Sequence, residues 1–280
     1  MRVALLGTGI MGTGMAKNIA RAGIPIKAWN RSKARAEPLA EHGVTVTDTA
    51  AEAVDGADVV ITMLHDADSV ESVIKNVTLG PETVWAQMST VGIAGTARLA
   101  ALSDRFVDAP VLGTKKPAED GTLVVMASGP AELKDKVTPV FEAVSSRLMW
   151  IADEPGAASK LKLVINGWMQ CVLAGVAQTV AFAEAVGVDP RLFLDTIRGQ
   201  ASDSLIAQGK GAAMIARDFA PTFALDGLEK DTDLIAQAIK DSGVDASVIT
   251  AILNVTRRAR DLGHGDEDMA AIYYAFRPDR

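Results

Sequence analysis

The chain has 280 residues, 49% of them hydrophobic and 22% charged, with a formal net charge of -7. That is long enough for two domains with a large core, and the composition excludes a disordered chain. The acidic balance excludes a global basic field for nucleic acid, and a lone cysteine, Cys171, excludes an internal disulfide and points to a reducing, cytoplasmic setting.

In chain order, Arg2 to Leu6 reads as a short apolar strand running into Gly7-Thr8-Gly9-Ile10-Met11-Gly12, with a helix from Met11 to Ala22 ending at Gly23. Residues 1–20 share an export signal's basic start and apolar run, but the glycines and Lys17 interrupt that run and argue against export. Strand and helix then alternate. Strands are predicted at Pro25–Trp29, Val44–Val46, Ala57–Met63, Thr83–Met88, Arg105–Ala109, Leu123–Ala127 and Leu148–Ile151. Helices are predicted at Lys33–Glu41, Ala50–Val54, Asp68–Ile74, Gly95–Leu102 and Ala131–Val144. Such alternation implies a mostly parallel sheet with helices on both faces.

From Gly156 onward the pattern is helical. Ala157 to Val186 is one long helix-period segment, stopped by Gly187 and Pro190. Its polar Lys162, Asn166, Gln170 and Gln178 mark a buried helix and argue against a membrane span. Further helices are predicted at Arg191–Gln200, Leu205–Ile215, Ala224–Ser242, Ala246–Leu262 and Asp266–Tyr274. The expected fold is α/β: a Rossmann-type, doubly wound, mostly parallel sheet over residues 1–155, followed by an all-helical domain over residues 156–280.

The opening motif is built to hold a dinucleotide pyrophosphate. Gly7 makes the tight turn, Gly9 lets backbone approach the phosphates, and Gly12 lets the helix pack on the strand, while Ile10 and Met11 open that helix. The anion then meets free N–H groups at the positive end of the helix. An acid about 20 positions on usually holds the ribose 2′-hydroxyl of NAD. Here the second strand ends in Trp29-Asn30-Arg31-Ser32, with no acid. Arg31 suits a 2′-phosphate, with Ser32 and Lys33 as further donors, so the expected cofactor is NADP(H). The alternative is that Arg31 is a solvated surface charge.

Lys162 and Asn166, four residues apart near the start of the long helix, share one face. A lysine on an apolar helix is often only a snorkelling surface group. Placed just after the expected domain boundary, where a cleft would open, it suits proton donation to a carbonyl oxygen as hydride arrives at carbon. Lys160 has no polar partner one turn on. His42, His65 and His264 are poorly placed for the task, and there is neither a metal-ligand cluster nor a G-x-S-x-G elbow.

Together, Gly7-x-Gly9-x-Met11-Gly12, Asp58 through Leu64, Met88-Ser89-Thr90-Val91, Asp108-Ala109-Pro110-Val111, Gly156 through Lys162 to Asn166, and Phe223 through Lys230-Asp231 resemble the β-hydroxyacid dehydrogenases. That family includes 3-hydroxyisobutyrate dehydrogenase and the glyoxylate/succinic semialdehyde reductases. The resemblance implies Lys162 as proton donor and acceptor and Asn166 as a substrate-positioning residue. It implies Met63 and Leu64 beside the ribose and nicotinamide, Ser89 and Thr90 by the nicotinamide, and Lys230 near the same site. Ser89 and Thr90 could instead be a plain helix cap, and Lys230-Asp231 a solvated pair. The family's helical domains pair into dimers, so a homodimer or dimer of dimers is expected.

One segment departs from the family. Where the family loop has a serine that holds the substrate carboxylate, this chain has Leu112, followed by Gly113 and Thr114. Backbone amides at Gly113 and Thr114, the Thr114 hydroxyl, or Lys115 and Lys116 would have to take the anion. The expected activity is NADP(H)-dependent hydride transfer between nicotinamide and a small β-hydroxy acid, semialdehyde or oxo acid. A neutral C=N substrate, as in the related imine reductases, and a non-catalytic NADP-binding scaffold are the alternatives. Imine reductases commonly carry Asp or Tyr where this chain has Lys162. No nucleic acid or membrane partner is expected.

Overall fold

Strand β1 (Val3–Leu6) is buried at every position, because it sits inside a parallel sheet covered on both faces. Its side chains alternate: Val3 and Leu5 enter one core with Met15 and Ile19, whereas Ala4 and Leu6 enter another with Trp85 and Phe106. In the computed structural model, which describes residues 1–277, β1 leads to α1 (Ile10–Arg21), β2 (Ile26–Trp29), β3 (Thr45–Val46) and α2 (Ala50–Val54). There follow β4 (Val59–Thr62), α3 (Ala67–Ile74), β5 (Val84–Gln87), α4 (Gly92–Ala100) and β6 (Phe106–Asp108). The sheet ends with β7 (Val111–Leu112), α5 (Lys115–Asp120), β8 (Leu123–Ser128), α6 (Lys134–Val144) and β9 (Ser145–Ala152).

The strand order is β3-β2-β1-β4-β5-β6-β8-β7, with β9 pairing β8. All pairs are parallel except β6–β8 and β7–β8. The order reverses at β1, the switch point outside which open α/β sheets bind ligands. The expected fold class is therefore borne out.

Local expectations in the sheet region are corrected. Lys33–Glu41 is not one α-helix but two 3-10 turns, Lys33–Arg35 and Glu37–His42, because Pro38 lacks an N–H and disfavours the α conformation of Glu37. Strand β9 begins at Ser145 rather than Leu148, extended by its pairing with β8. The short β7 and α5 were not predicted at all; β7 exists through its antiparallel pairing with β8.

By packing, the chain divides into Met1–Lys162 and a unit from Leu163 onward. The helix α7 (Ala157–Ala185) starts in the first and continues into the second. The second unit adds α8 (Pro190–Ile197), α9 (Leu205–Ala216), α10 (Leu225–Asp241) and α11 (Ser247–Ala259). The predicted Asp266–Tyr274 helix is a 3-10 segment, Met269–Phe276, whose start is capped by Asp268. By length and hydropathy alone, α7 could cross a bilayer, with 29 residues that include an 18-residue stretch of mean hydropathy 1.3. In the structure its Leu173, Ala177 and Val180 are buried in the core of the second unit.

Candidate active site

The turn after β1 needs its glycines for distinct reasons. Gly7 has φ +111°, and a Cβ there would lie 2.2 Å from the Met63 carbonyl oxygen. A Cβ on Gly12 would lie 2.0 Å from the Gly7 carbonyl oxygen, so the first turn of α1 presses directly on the loop. A Cβ on Gly9, by contrast, would meet nothing within 4 Å. Beside that open space the buried Thr8 Oγ1 has no hydrogen-bond partner among the described residues. An orphaned hydroxyl, an open glycine face and the start of α1 fit a phosphate group. The residues present thus suit a dinucleotide.

Asn30, at the end of β2, braces the same turn. Its Oδ1 accepts from the Thr8 N–H at 3.1 Å, and its Nδ2 donates to the Ser32 carbonyl at 3.0 Å. Arg31 and Ser32 are exposed, and Arg31 makes no ion pair among the described residues. Lys33, the other expected donor, is held by Asp48.

The ends of β4 and β5 are joined by buried polar bonds. Gln87 Oε1 accepts from the Ser89 N–H, and its Nε2 donates to the Ser89 carbonyl, both at 2.8 Å. Ser89 Oγ accepts from the Leu64 N–H at 2.8 Å. This bond ties the two segments expected to face nicotinamide, Met63-Leu64 and Ser89-Thr90. The Ser89 hydroxyl is engaged by the Leu64 N–H, and the residue that precedes α4 is Val91. His65 is exposed.

The departed loop is anchored from α1. Asn18 Nδ2 donates to the carbonyls of Ala118 and Glu119 at 2.7 and 3.2 Å, and the Gly14 face lies so close to Ala118 that a Cβ would come within 2.6 Å of it. Gly113 has φ +135°, conformation an L side chain rarely adopts, and separates Leu112 in β7 from Thr114 at the head of α5. All three are half-buried, whereas Lys115 and Lys116 are exposed and Lys116 pairs with Asp120.

The first turn of α7 is locked by the sheet. Buried Asp108, at the end of β6, accepts from the N–H groups of Gly156 at 3.1 Å and Ser159 at 2.8 Å through Oδ2. Its Oδ1 accepts from the Ser159 hydroxyl at 2.7 Å, and Ser128 Oγ in β8 accepts from the Ala158 N–H at 3.0 Å. These are the helix-start donors that nothing within the helix can satisfy. Burial pushes the Asp108 carboxyl above its ordinary value, and the bonds from Ser159, Gly156 and Ser128 only partly offset it.

Lys162 follows one turn later and is 8% exposed. One further turn along, Asn166 is buried and its Nδ2 donates to Asp231 Oδ2 in α10 at 3.0 Å, while its Oδ1 has no hydrogen-bond partner among the described residues. Asp231 Oδ1 lies 2.9 Å from Lys230 Nζ. The sequence reading paired Lys162 with Asn166 but missed the Asp108 clamp and the Asn166–Asp231 bond. Both join residues far apart in sequence, so no spacing signalled them.

Residues 2–152 match the family model for the NAD-binding domain of 6-phosphogluconate dehydrogenase, and residues 156–276 that for the NAD-binding segment of NADP-dependent 3-hydroxyisobutyrate dehydrogenase. The chain is 30% identical to glyoxylate/succinic semialdehyde reductase 1 of Arabidopsis thaliana, over 100% of both chains. A crystal structure of 3-hydroxyisobutyrate dehydrogenase from Salmonella typhimurium superposes with a TM-score of 0.90 at 26% identity, covering 99% of this chain and 100% of that one. An imine reductase from Pseudomonas sp. shares the fold at 20% identity and a TM-score of 0.63, over 98% of each chain.

Proposed function

The chain belongs to the β-hydroxyacid dehydrogenase family, and from that premise we propose that it is an NADP(H)-dependent reductase of a small semialdehyde or oxo acid, with Lys162 as the proton donor. The family supports NAD(P)-dependent oxidoreductase chemistry on hydroxy acids. The observation that carries the finer reading is the buried Lys162, one turn into a helix whose start the sheet clamps.

When bound, the reduced nicotinamide supplies the hydride. Lys162 Nζ gives a proton to the carbonyl oxygen, so no free alkoxide has to form. Asn166 has one N–H committed to Asp231 and a carbonyl oxygen without a partner among the described residues, which suits it to hold the lysine head or the new hydroxyl. The Gly113 and Thr114 amides and the Thr114 hydroxyl take the substrate carboxylate in place of the serine absent at Leu112. Thr8, Gly9, Ile10 and Met11 hold the pyrophosphate. Arg31 and Ser32 receive the 2′-phosphate; the exposed guanidinium of Arg31, without an ion pair among the described residues, and the lack of an acid at Asn30 support NADP over NAD.

The same chain forms a homodimer or a dimer of dimers in the cytoplasm. Val164, Trp168 and Phe182 lie on one exposed face of α7, the first two 70% exposed. Sedimentation of the wild type against Trp168→Glu tests this: a variant that sediments as the wild type would exclude that face.

The experiment for the activity is NADPH oxidation with a paired panel. One arm holds glyoxylate, succinic semialdehyde and methylmalonate semialdehyde; the other holds neutral ketones and cyclic imines. Turnover in the acid arm, lost in Lys162→Ala, supports the proposal. Turnover only in the neutral arm favours the imine-type alternative, for which Leu112 is the motivating residue. Tight NADPH binding with no turnover in either arm favours a scaffold.

A further inference from the structure

The carboxyl ends of three neighbouring strands, β1, β4 and β5, lie in a row beside the switch point of the sheet. The Gly7 turn follows β1. Met63, at the end of β4, touches that turn: its N–H donates to the Leu6 carbonyl at 2.9 Å, and its own carbonyl is the atom a Gly7 Cβ would strike. Ser89 and Thr90 follow β5, one strand further on. Adjacent strands are about 4.8 Å apart, so β5 ends about 10 Å from the turn. A dinucleotide with its pyrophosphate on the turn covers that distance with one ribose and the nicotinamide ring.

The last backbone bond between β4 and the end of β5 runs from the Met88 N–H to the Thr62 carbonyl at 3.0 Å. Past it a side chain takes over. Fully buried Gln87 accepts from the Ser89 N–H and donates to the Ser89 carbonyl, each at 2.8 Å. Its Oε1 also accepts from the Thr62 hydroxyl at 3.4 Å, and that hydroxyl accepts from Trp85 Nε1 at 2.9 Å. Ser89 Oγ in turn accepts from the Leu64 N–H at 2.8 Å and donates to the Thr62 carbonyl at 3.4 Å. A core cross-link joins separate strands. The two short bonds of Gln87 instead return to the chain two residues on, so they fix its course where it leaves the sheet.

We infer that Gln87 is a positioning residue for the nicotinamide half of the dinucleotide, setting the course of Ser89 and Thr90 and, through the Ser89 hydroxyl, the Leu64 N–H. The inference rests on the dinucleotide reading of the Gly7 turn and on Met63-Leu64 and Ser89-Thr90 facing nicotinamide. An apolar side chain of the same length at position 87 fills the same space but withdraws both partners of the Ser89 backbone. Those groups then take other partners, and the segment moves with them. The adenine half belongs on the β2 side of the turn, with Asn30 and Arg31, and does not feel the change.

The test is titration calorimetry with two ligand pairs, NADPH with 2′-phospho-ADP-ribose and NADH with ADP-ribose; the members of each pair differ only in the nicotinamide. The proteins are the wild type, Gln87→Met, Gln87→Glu and a control, Thr83→Val, with Tm read for each. The control removes a buried bond to the Ala57 carbonyl, 2.7 Å long, at the opposite end of β5. Gln87→Met is expected to weaken the tighter-binding nicotinamide cofactor by roughly tenfold and to leave its nicotinamide-free counterpart within about twofold, the worth of one or two hydrogen bonds. Gln87→Glu keeps an acceptor for the Ser89 N–H but sets an oxygen against the Ser89 carbonyl, and should show the same selective loss. Thr83→Val should lower Tm without separating the pair. Equal weakening of both members in the Gln87 variants would make Gln87 an ordinary core residue and overturn the inference. If only one of these variants folds, it decides; if neither folds, Gln87 is structural and the inference falls. A wild type that binds both members of each pair equally, or binds none, overturns the nicotinamide reading and the inference with it. A wild type that separates them, with variants that do so equally well, overturns the inference alone.

Discussion

The two ends of one polar seam on α7 differ in how completely they are bonded. At the start of the helix, Asp108 and Ser128 use their oxygens on the N–H groups of Gly156, Ala158 and Ser159, and Ser159 Oγ also accepts from Thr96 at 2.9 Å. Further along, Asn166 Oδ1 and both ends of Gln170 are left over. The first region is scaffold, with its hydrogen-bonding capacity spent on the chain. In the second, these buried polar atoms have no hydrogen-bond partner among the described residues. Thr8 Oγ1, beside the open face of Gly9, is an atom of the same kind in the first unit.

The largest effect is expected at the chemistry itself. Lys162→Ala should lower kcat by about 10²–10⁴-fold, the usual worth of a positioned acid, while leaving NADPH affinity within a small factor. Full turnover in that variant would break the assignment of chemistry to this seam. Next comes Arg31→Ala, which should raise KM for NADPH by about 10–100-fold and leave NADH untouched, the loss of a charge-assisted contact to a phosphate. Equal shifts for both cofactors would return Arg31 to an ordinary surface charge.

The scaffold end should respond in stability. Asp108→Asn exchanges one acceptor for a donor facing the Ser159 and Gly156 N–H groups, and should cost about 1–3 kcal/mol in denaturant unfolding. Its kcat should also fall, because the first turn of α7 carries Lys162. An unchanged unfolding midpoint would mean that the clamp is not needed.

The smallest effect is a pH dependence of opposite sense in the two units. Burial raises the folded-state value of Asp108, so its contribution to stability is fully present below the ordinary Asp value and is lost as pH rises through the raised one. For Asp268, burial is outweighed by the bonds from Lys210, Ala270 and Thr222, which hold its carboxyl below the ordinary value. Its contribution is present above the ordinary value and is lost as pH falls through the lowered one. Unfolding midpoints of Asp108→Asn and Asp268→Asn across the acidic range should each lack one of these slopes, worth about 1.4 kcal/mol per unit of difference. Parallel profiles for the two variants would remove the distinction.

What the sequence determined by itself was local or periodic. The run from Arg2 through Gly12 specified strand, turn and helix because each glycine role is decided within a few residues, and the structure places their missing Cβ atoms against the Gly7 and Met63 carbonyls or in open space. Buried strands such as Val59–Thr62 followed from unbroken apolar patterning, and the long helix from Ala157 from its helical period. The lysine and asparagine one turn apart could be paired because helical spacing is fixed. The tertiary structure alone decided the rest. Two-residue strand β7 has no signature of its own and depends on β8 beside it. The Asp108–Ser159 bonds span 51 positions and the Asn166–Asp231 bond 65, separations at which sequence spacing carries no geometric information. Whether a buried polar atom is bonded or left over depends on every group that folding brings around it, so Gln170 could be read as polar from the sequence, but only the packed chain shows that its amide has no partner among the described residues.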